Sequence, residues 1–311
     1  MNKVYVAVTT IVVLFGVNVF LAFKNSRNAP FSYLNAIASN GQRQQAYLLP
    51  ISGPNYIPIL NSNVAKPEVS AKSAVVYDTR SGRILYEKKI SDKLPIASLT
   101  KVLTAVVVRE NLNQNDIITI ASDSIKVDGE KQDLYLGERI SVQNLIKLML
   151  IESSNDAAYA LASYSKSRGI DFVGAMNLKA KTLDMSDSHF FDPAGLDDNA
   201  YSTVEDLVKL VEYSLNYQEI WNISSEKTAI IESSDEKIKH SVMSTNHLLG
   251  LLKNIIGGKT GYTDGAGQCM ILITSVPDYN GKIVSIVLSS DDRFGDTQKL
   301  VDWTRIAYKW R

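Results

Sequence analysis

The chain has 311 residues with 33 basic and 33 acidic side chains, 45% hydrophobic residues, one Cys and three His. Zero formal charge argues against a nucleic-acid binder, which carries a basic excess to neutralise phosphates, and the apolar fraction is that of a folded chain, not a disordered tail. With Cys269 alone, an internal disulfide and a cysteine-built zinc site are both excluded, and the expectation is one or two domains with neither metal nor cofactor.

Residues 4–23 hold no charged side chain and are rich in Val, Ile, Leu and Phe. Twenty helical residues span about 30 Å, the thickness of a bilayer's hydrocarbon core. The run is longer than the apolar part of a cleaved signal peptide, and a small-x-small cleavage site is not clear. We therefore expect an uncleaved membrane anchor over residues 1–23, with a cleaved signal segment as the alternative. Lys3 before the run and Lys24 and Arg27 after it do not fix its orientation. Either reading carries the rest of the chain across a membrane.

Residues 24–70 are rich in Asn, Ser, Gln, Ala and Pro, with turn pairs such as Gly53-Pro54 and Lys66-Pro67. They read as a linker with short ordered patches. Residues 71–311 read as one folded unit. A strand over 74–77, a turn over 79–82 and a strand over 83–86 make a hairpin. Helical patterns follow over 99–110, 142–150, 155–164, 171–183 and 203–215, the last opened by Ser202 and Glu205 as a capping box. Strands return over 268–276 and 283–289, and a helix over 296–310 closes the chain. Strands at both ends with helices between them predict one α+β unit whose sheet is assembled from distant segments.

Three short motifs carry chemistry. Ser98-Leu99-Thr100-Lys101 places a hydroxyl and an amine three residues apart at a helix start, close enough on one face to exchange a proton. Ser163/Lys166, Ser224/Lys227 and Ser234/Lys237 match the same spacing. What separates Ser98 is its setting, because Leu99, Val102, Leu103 and Val106 form an apolar stripe that draws this turn inward. Ser153-Ser154-Asn155 falls between two apolar helical runs, where a polar break either caps a helix or lines a cleft. Lys259-Thr260-Gly261 occurs once. A glycine-flanked turn explains its glycines but not its Lys-Thr pair. A strand edge that holds an anion, with Gly allowing close backbone approach, explains both.

S-x-x-K, S-x-N and K-T-G in this order are the signature of penicillin-binding proteins and related β-lactamases. The chain resembles the low-molecular-mass penicillin-binding proteins, specifically the D-alanyl-D-alanine carboxypeptidase family of serine peptidases. The likeness extends to the hairpin at Tyr77-Asp78 through Tyr86, to the SSNDAAYALA stretch from Ser153, to Asp192-Pro193-Ala194-Gly195-Leu196-Asp197, and to GKTGYTDGAG from Gly258. It implies a β-lactamase/penicillin-binding-protein transpeptidase-like fold, an antiparallel sheet flanked by helices plus a helical subdomain, here preceded by the N-terminal membrane helix.

By this resemblance, Ser98 is the nucleophile on the carbonyl between two D-alanines of a peptidoglycan stem peptide, and Lys101 takes its proton. A free Lys, with pKa about 10.4, is unprotonated about once in two thousand at neutral pH. The site must therefore lower that value by roughly two to three units through burial and the charge of Lys259. Ser153 relays the proton to the leaving amine, Asn155 orients the substrate amide, and Lys259, Thr260 and Gly261 receive the terminal carboxylate. The backbone amides of Ser98 and Tyr262 form the oxyanion hole. The implied partners are stem peptides ending in D-Ala-D-Ala and β-lactams as covalent inhibitors, with no nucleic acid. Larger members of the family add a C-terminal β-rich domain and an amphipathic membrane helix, whereas this sequence stops soon after Trp303 and Trp310. The expectation is a catalytic unit held at the extracytoplasmic face of the bacterial membrane by its N-terminus.

Rival readings differ in outcome. An endopeptidase of the same fold cuts cross-links, and the motifs do not separate it from a carboxypeptidase. A class A β-lactamase shares the nucleophile and the Lys but also needs a carboxylate that activates the deacylating water. A Ser-His-Asp hydrolase needs a Gly-x-Ser-x-Gly elbow beside His189, His240 or His247. A silent, membrane-tethered binding module would keep the cleft without turnover.

Overall fold

The computed structural model describes residues 57–125, 134–277 and 279–310. The expected anchor over residues 1–23 lies outside the described residues, and among those described no helix is long and apolar enough to cross a membrane. In chain order the elements are strands β1 (Ile59–Leu60), β2 (Ser73–Asp78) and β3 (Arg83–Lys88), then a 3-10 turn (Ala97–Leu99) running into helix α1 (Thr100–Asn111). Next come β4 (Ile117–Thr119), β5 (Arg139–Ser141), α2 (Val142–Ile151), α3 (Asn155–Ser167), α4 (Phe172–Thr182), α5 (Val204–Ser214) and α6 (Gln218–Ser224). The chain continues through β6 (Thr228–Glu232), β7 (Lys239–Met243), β8 (Ile255–Thr263), β9 (Gly267–Val276), β10 (Tyr279–Ser290), α7 (Arg293–Ala307) and β11 (Tyr308–Lys309).

The main sheet is antiparallel in the order β3-β2-β10-β9-β8, so strands from the two ends of the folded unit meet at its centre, where β2 pairs β10 with Val75 opposite Ile286. Side chains alternate across a strand, and both faces of this sheet are covered. Val75, Ile271, Ile273, Val284 and Ile286 face the core shared with the helices α1 to α6. Ala74, Val76, Met270, Leu272 and Val287 face a second core with Leu300 and Trp303 of α7. Double coverage explains why the central strands read as unbroken apolar runs. Helix α1 is buried from Thr100 through Val108. A helix enclosed on all sides buries its one Lys, Lys101, completely.

Several boundaries differ from expectation for local reasons. The closing helix ends at Ala307, not at 310, because Tyr308 and Lys309 turn extended and pair with Leu60 and Ile59. Tyr308 is held there by its hydroxyl on the Leu85 carbonyl at 2.8 Å and by an edge-on contact with Trp303. Residues 57–70 therefore lie on the folded body, where Asp296 grips Ser70 and Ala71 through their backbone amides. Helix α5 is capped by Thr203, whose hydroxyl accepts the Asp206 amide at 3.0 Å. Ser202, expected as the cap, instead meets Ser188 at 2.7 Å. The hairpins β4–β5 and β6–β7 and helix α6 were not anticipated, and β8 is a nine-residue strand despite three glycines.

Candidate active site

Ser98 is the middle residue of the 3-10 turn that opens into α1. Its neighbour Ala97 has φ +48°, a left-handed backbone costing a non-glycine residue on the order of 1–3 kcal/mol. Ser153, in the link between α2 and α3, has φ +71°. Both turns are thus held in place by what surrounds them. In the Ser-Ser-Asn triplet the capping work falls to Ser154, whose hydroxyl accepts the Ala157 amide at 3.2 Å. Ser153 and Asn155 are left to face the cleft.

Lys101 lies one turn beyond Ser98 with no exposed surface. Its Nζ is 2.7 Å from Ser98 Oγ, 2.7 Å from Asn155 Oδ1 and 3.0 Å from the Ala194 carbonyl. A neutral amine has two N–H groups and one lone pair. The two carbonyl oxygens take the N–H groups, and the lone pair is then aimed at the Ser98 hydroxyl. Burial pulls the Lys101 pKa from 10.5 down to about 7, against an opposing influence of Asp192. Burial is the largest cause of this lowering. The other S-x-x-K matches lack this setting, since Lys166, Lys227 and Lys237 are all exposed.

Lys259, Thr260 and Gly261 lie on β8, the edge strand of the sheet facing the nucleophile turn. Lys259 is 1% exposed, and its Nζ donates to Ser153 Oγ and to the Thr260 carbonyl, each at 2.8 Å. Thr260 Oγ1 is 2.5 Å from Thr245 Oγ1. Gly261 is required by space, because a Cβ there would stand 2.9 Å from the Ile96 carbonyl oxygen. Tyr262 is 58% exposed and donates its hydroxyl to Asp264 at 3.0 Å.

These groups meet in a cleft of about 420 Å³ lined by Ser98, Ser153, Asn155, Thr260, Gly261 and Tyr262, together with Glu152, Leu196, Thr245 and Arg293. Lys101 and Lys259 stand behind its walls. None of the three histidines lines it; His240 pairs with Glu138 at 2.7 Å instead. Sequence reasoning missed Arg293, the first residue of α7, whose Nη1 donates to the Gly261 carbonyl at 2.7 Å. Its position beside β8 arises from the tertiary fold alone. A larger groove of about 720 Å³ beside α3 and α4 contains Ser163 and Lys166, but Ser163 donates to Asp123 at 3.1 Å and Lys166 is solvated.

The arrangement is a hydroxyl nucleophile beside a buried, deprotonatable amine, facing a strand edge rich in anion donors. The profile of the D-alanyl-D-alanine carboxypeptidase family matches residues 61–292. The chain is 33% identical over 248 residues to a D-alanyl-D-alanine endopeptidase of Pseudomonas aeruginosa, covering 78% of this chain and 77% of that protein. It is 28% identical over 248 residues to the D-alanyl-D-alanine carboxypeptidase DacF of Bacillus subtilis, covering 77% of this chain and 63% of that protein. Its fold is similar to that of a penicillin-binding protein of Listeria monocytogenes solved in its ampicillin-bound form, with TM-score 0.65, 32% identity and coverage of 77% of this chain and 99% of that one. A match across most of the chain, together with this site, means that the chain belongs to the D-alanyl-D-alanine carboxypeptidase family of serine peptidases.

Proposed function

We propose that the chain hydrolyses the amide bond after D-alanine in peptidoglycan stem peptides through an acyl-enzyme on Ser98. The observation that carries this is Ser98 Oγ at 2.7 Å from the Nζ of a fully buried Lys101. Lys101 removes the Ser98 proton as Oγ bonds to the carbonyl carbon. The developing oxyanion is received by the backbone amides of Ser98 and Tyr262. The C–N bond then breaks, and the leaving amine takes the proton back from Lys101 by way of Ser153. Water attacks the ester, again losing its proton to Lys101, which returns it to Ser98 as the acid departs.

The free β8 edge lets an extended peptide pair beside it. The carboxylate of the leaving residue is met by the hydroxyls of Thr260 and Thr245 and the guanidinium of Arg293, with the Lys259 charge directly behind. Penicillins acylate Ser98 by the same attack. The substrate and the uncharged run over residues 4–23 support a place at the extracytoplasmic face of the membrane, anchored by that segment.

The reading from sequence is a carboxypeptidase that releases terminal D-alanine. Cleavage of cross-links is the second reading, favoured by the endopeptidase relative, which aligns at higher identity and over more of its length than the carboxypeptidase relative does. Digestion of uncross-linked pentapeptide and of cross-linked muropeptides by the full chain decides between them. Free D-alanine from the pentapeptide supports the carboxypeptidase, and monomers from the dimers support the endopeptidase. Penicillin labelling with neither product would leave only a silent binding module.

A further inference from the structure

Asp192 is 8% exposed and is not among the residues that line the cleft, yet its carboxylate is fully engaged. One oxygen accepts the amides of Ala194 at 2.7 Å and Gly195 at 2.6 Å, and the other accepts those of Leu196 at 3.0 Å and Asp197 at 2.9 Å. A carboxylate offers about four lone-pair directions, and here the loop's own backbone takes all of them. The loop so shaped touches the nucleophile segment at three levels. The Pro193 carbonyl accepts the Thr104 hydroxyl at 2.7 Å, and the Ala194 carbonyl accepts from Lys101 at 3.0 Å. Gly195, at φ +77°, lies where a Cβ would stand 2.0 Å from the Ala97 carbonyl oxygen. Beyond it, Asp198 ties the loop to the Thr263 hydroxyl and to the Gly265 amide at 3.2 Å.

We infer that Asp192 is a positioning residue for the base, folding its loop so that the Ala194 carbonyl fixes the Lys101 amine toward Ser98. The inference rests on Lys101 acting as the base of the proposed reaction. Asp192 also acts electrostatically, since its charge favours the Lys101 ammonium. The other titratable groups around the loop are Asp197 and Asp198 at its far end and Tyr159 on α3, whose pKa is pushed up to about 12 by burial and then by Asp192 and Asp197. Tyr159 therefore stays neutral through the working range.

The test is the rate of acylation of the full chain by a fluorescent penicillin, followed from pH 5 to 10 in wild type, Asp192→Asn, Thr104→Val and Lys101→Ala. Asparagine keeps one acceptor oxygen but turns an N–H toward the other two amides. The Asp192→Asn plateau rate falls by roughly a hundredfold, the scale of a misplaced catalytic group. Its acidic limb moves to lower pH, because a charge favouring the ammonium has gone. A loss of foldedness alone would lower the fraction of chains that titrate and leave both rate and limb unmoved in the remainder, and that result overturns the inference. If Asp192→Asn does not fold, Thr104→Val decides: slower acylation with an unmoved limb supports it, and an unchanged rate overturns it. A wild type with no acidic limb, or rapid acylation of Lys101→Ala, instead sinks the assignment of Lys101 and the inference with it.

Discussion

Gly261 and Ser98 meet beneath the cleft: a Cβ built on Gly261 would stand 3.1 Å from the Ser98 amide nitrogen. The strand edge proposed to receive the substrate therefore rests directly on the turn that carries the proposed nucleophile. Gly261→Ala inserts a methyl between them. Overpacking of this kind costs about 1–3 kcal/mol, and the displacement falls on the proposed oxyanion donors. Acylation by penicillin is expected to drop by at least tenfold in protein that still melts cooperatively. Normal acylation in that variant would show that the contact is only packing.

Lys101 gives the site its pH dependence. Its pKa is about 7 in the folded chain, and in the proposed reaction the neutral amine is the active form. Acylation rates should climb as pH rises through about 7 and level off above it. A flat profile between pH 5.5 and 8.5, with chemistry rate-limiting, contradicts this.

The same shift links Lys101 to stability. Its folded value lies below the unfolded value of 10.5, so between about 7 and 10.5 the unfolded chain binds the extra proton. Stability from this group therefore rises with pH across that window, by up to about 1.4 kcal/mol per pH unit. Below the window the folded state bears the full cost of a buried charge. Urea denaturation of wild type and Lys101→Met at pH 7, 8.5 and 10 measures this. The difference should move in favour of wild type as pH rises, and a constant difference would falsify the linkage.

Arg293 is expected to govern substrate affinity. A hydrogen bond to a charged group contributes about 1.5–3 kcal/mol, so Arg293→Ala should raise KM for a peptide with a free terminal carboxylate roughly ten- to hundredfold. The same peptide capped as an amide should lose little on mutation. Equal losses for both peptides would assign Arg293 to the support of Gly261 alone.

Asp296 anchors the entry of the chain into the body. Burial alone would raise its pKa, but hydrogen bonds from Ser290, Ser70 and the Ala71 amide outweigh it and hold the carboxyl below its ordinary range. The stability it contributes is present above the unfolded pKa and is lost as pH falls through the lower folded value. Asp296→Asn should destabilise by about 1–3 kcal/mol at neutral pH, with the gap closing in acid. A gap that persists at pH 2 would assign the effect to shape, not charge.

How much of this was legible in the sequence depends on distance along the chain. Ser98 and Lys101 lie three residues apart on a segment whose apolar stripe announced its burial, and Lys101 is enclosed as that stripe required. Ser153 and Asn155 could be found by motif, but only the geometry shows Ser154 doing the capping between them. Thr203 took the cap expected of Ser202 because Ser202 is held against Ser188, fourteen positions away. Arg293 and Asp192 were not identified as functional, since one acts 32 positions from Gly261 and the other through backbone amides that carry no side-chain signature. The end of α7 was misjudged for a related reason. Tyr308 and Lys309 suit a helix or a strand, and their pairing with Leu60 and Ile59 decided it.

The central claim is that Ser98 is the nucleophile, and mass spectrometry of the full chain after exposure to benzylpenicillin tests it most directly. One adduct per chain is predicted, mapped to the peptide bearing Ser98 and absent from Ser98→Ala. An adduct that survives in Ser98→Ala, or a folded wild type that takes up none, would contradict the account.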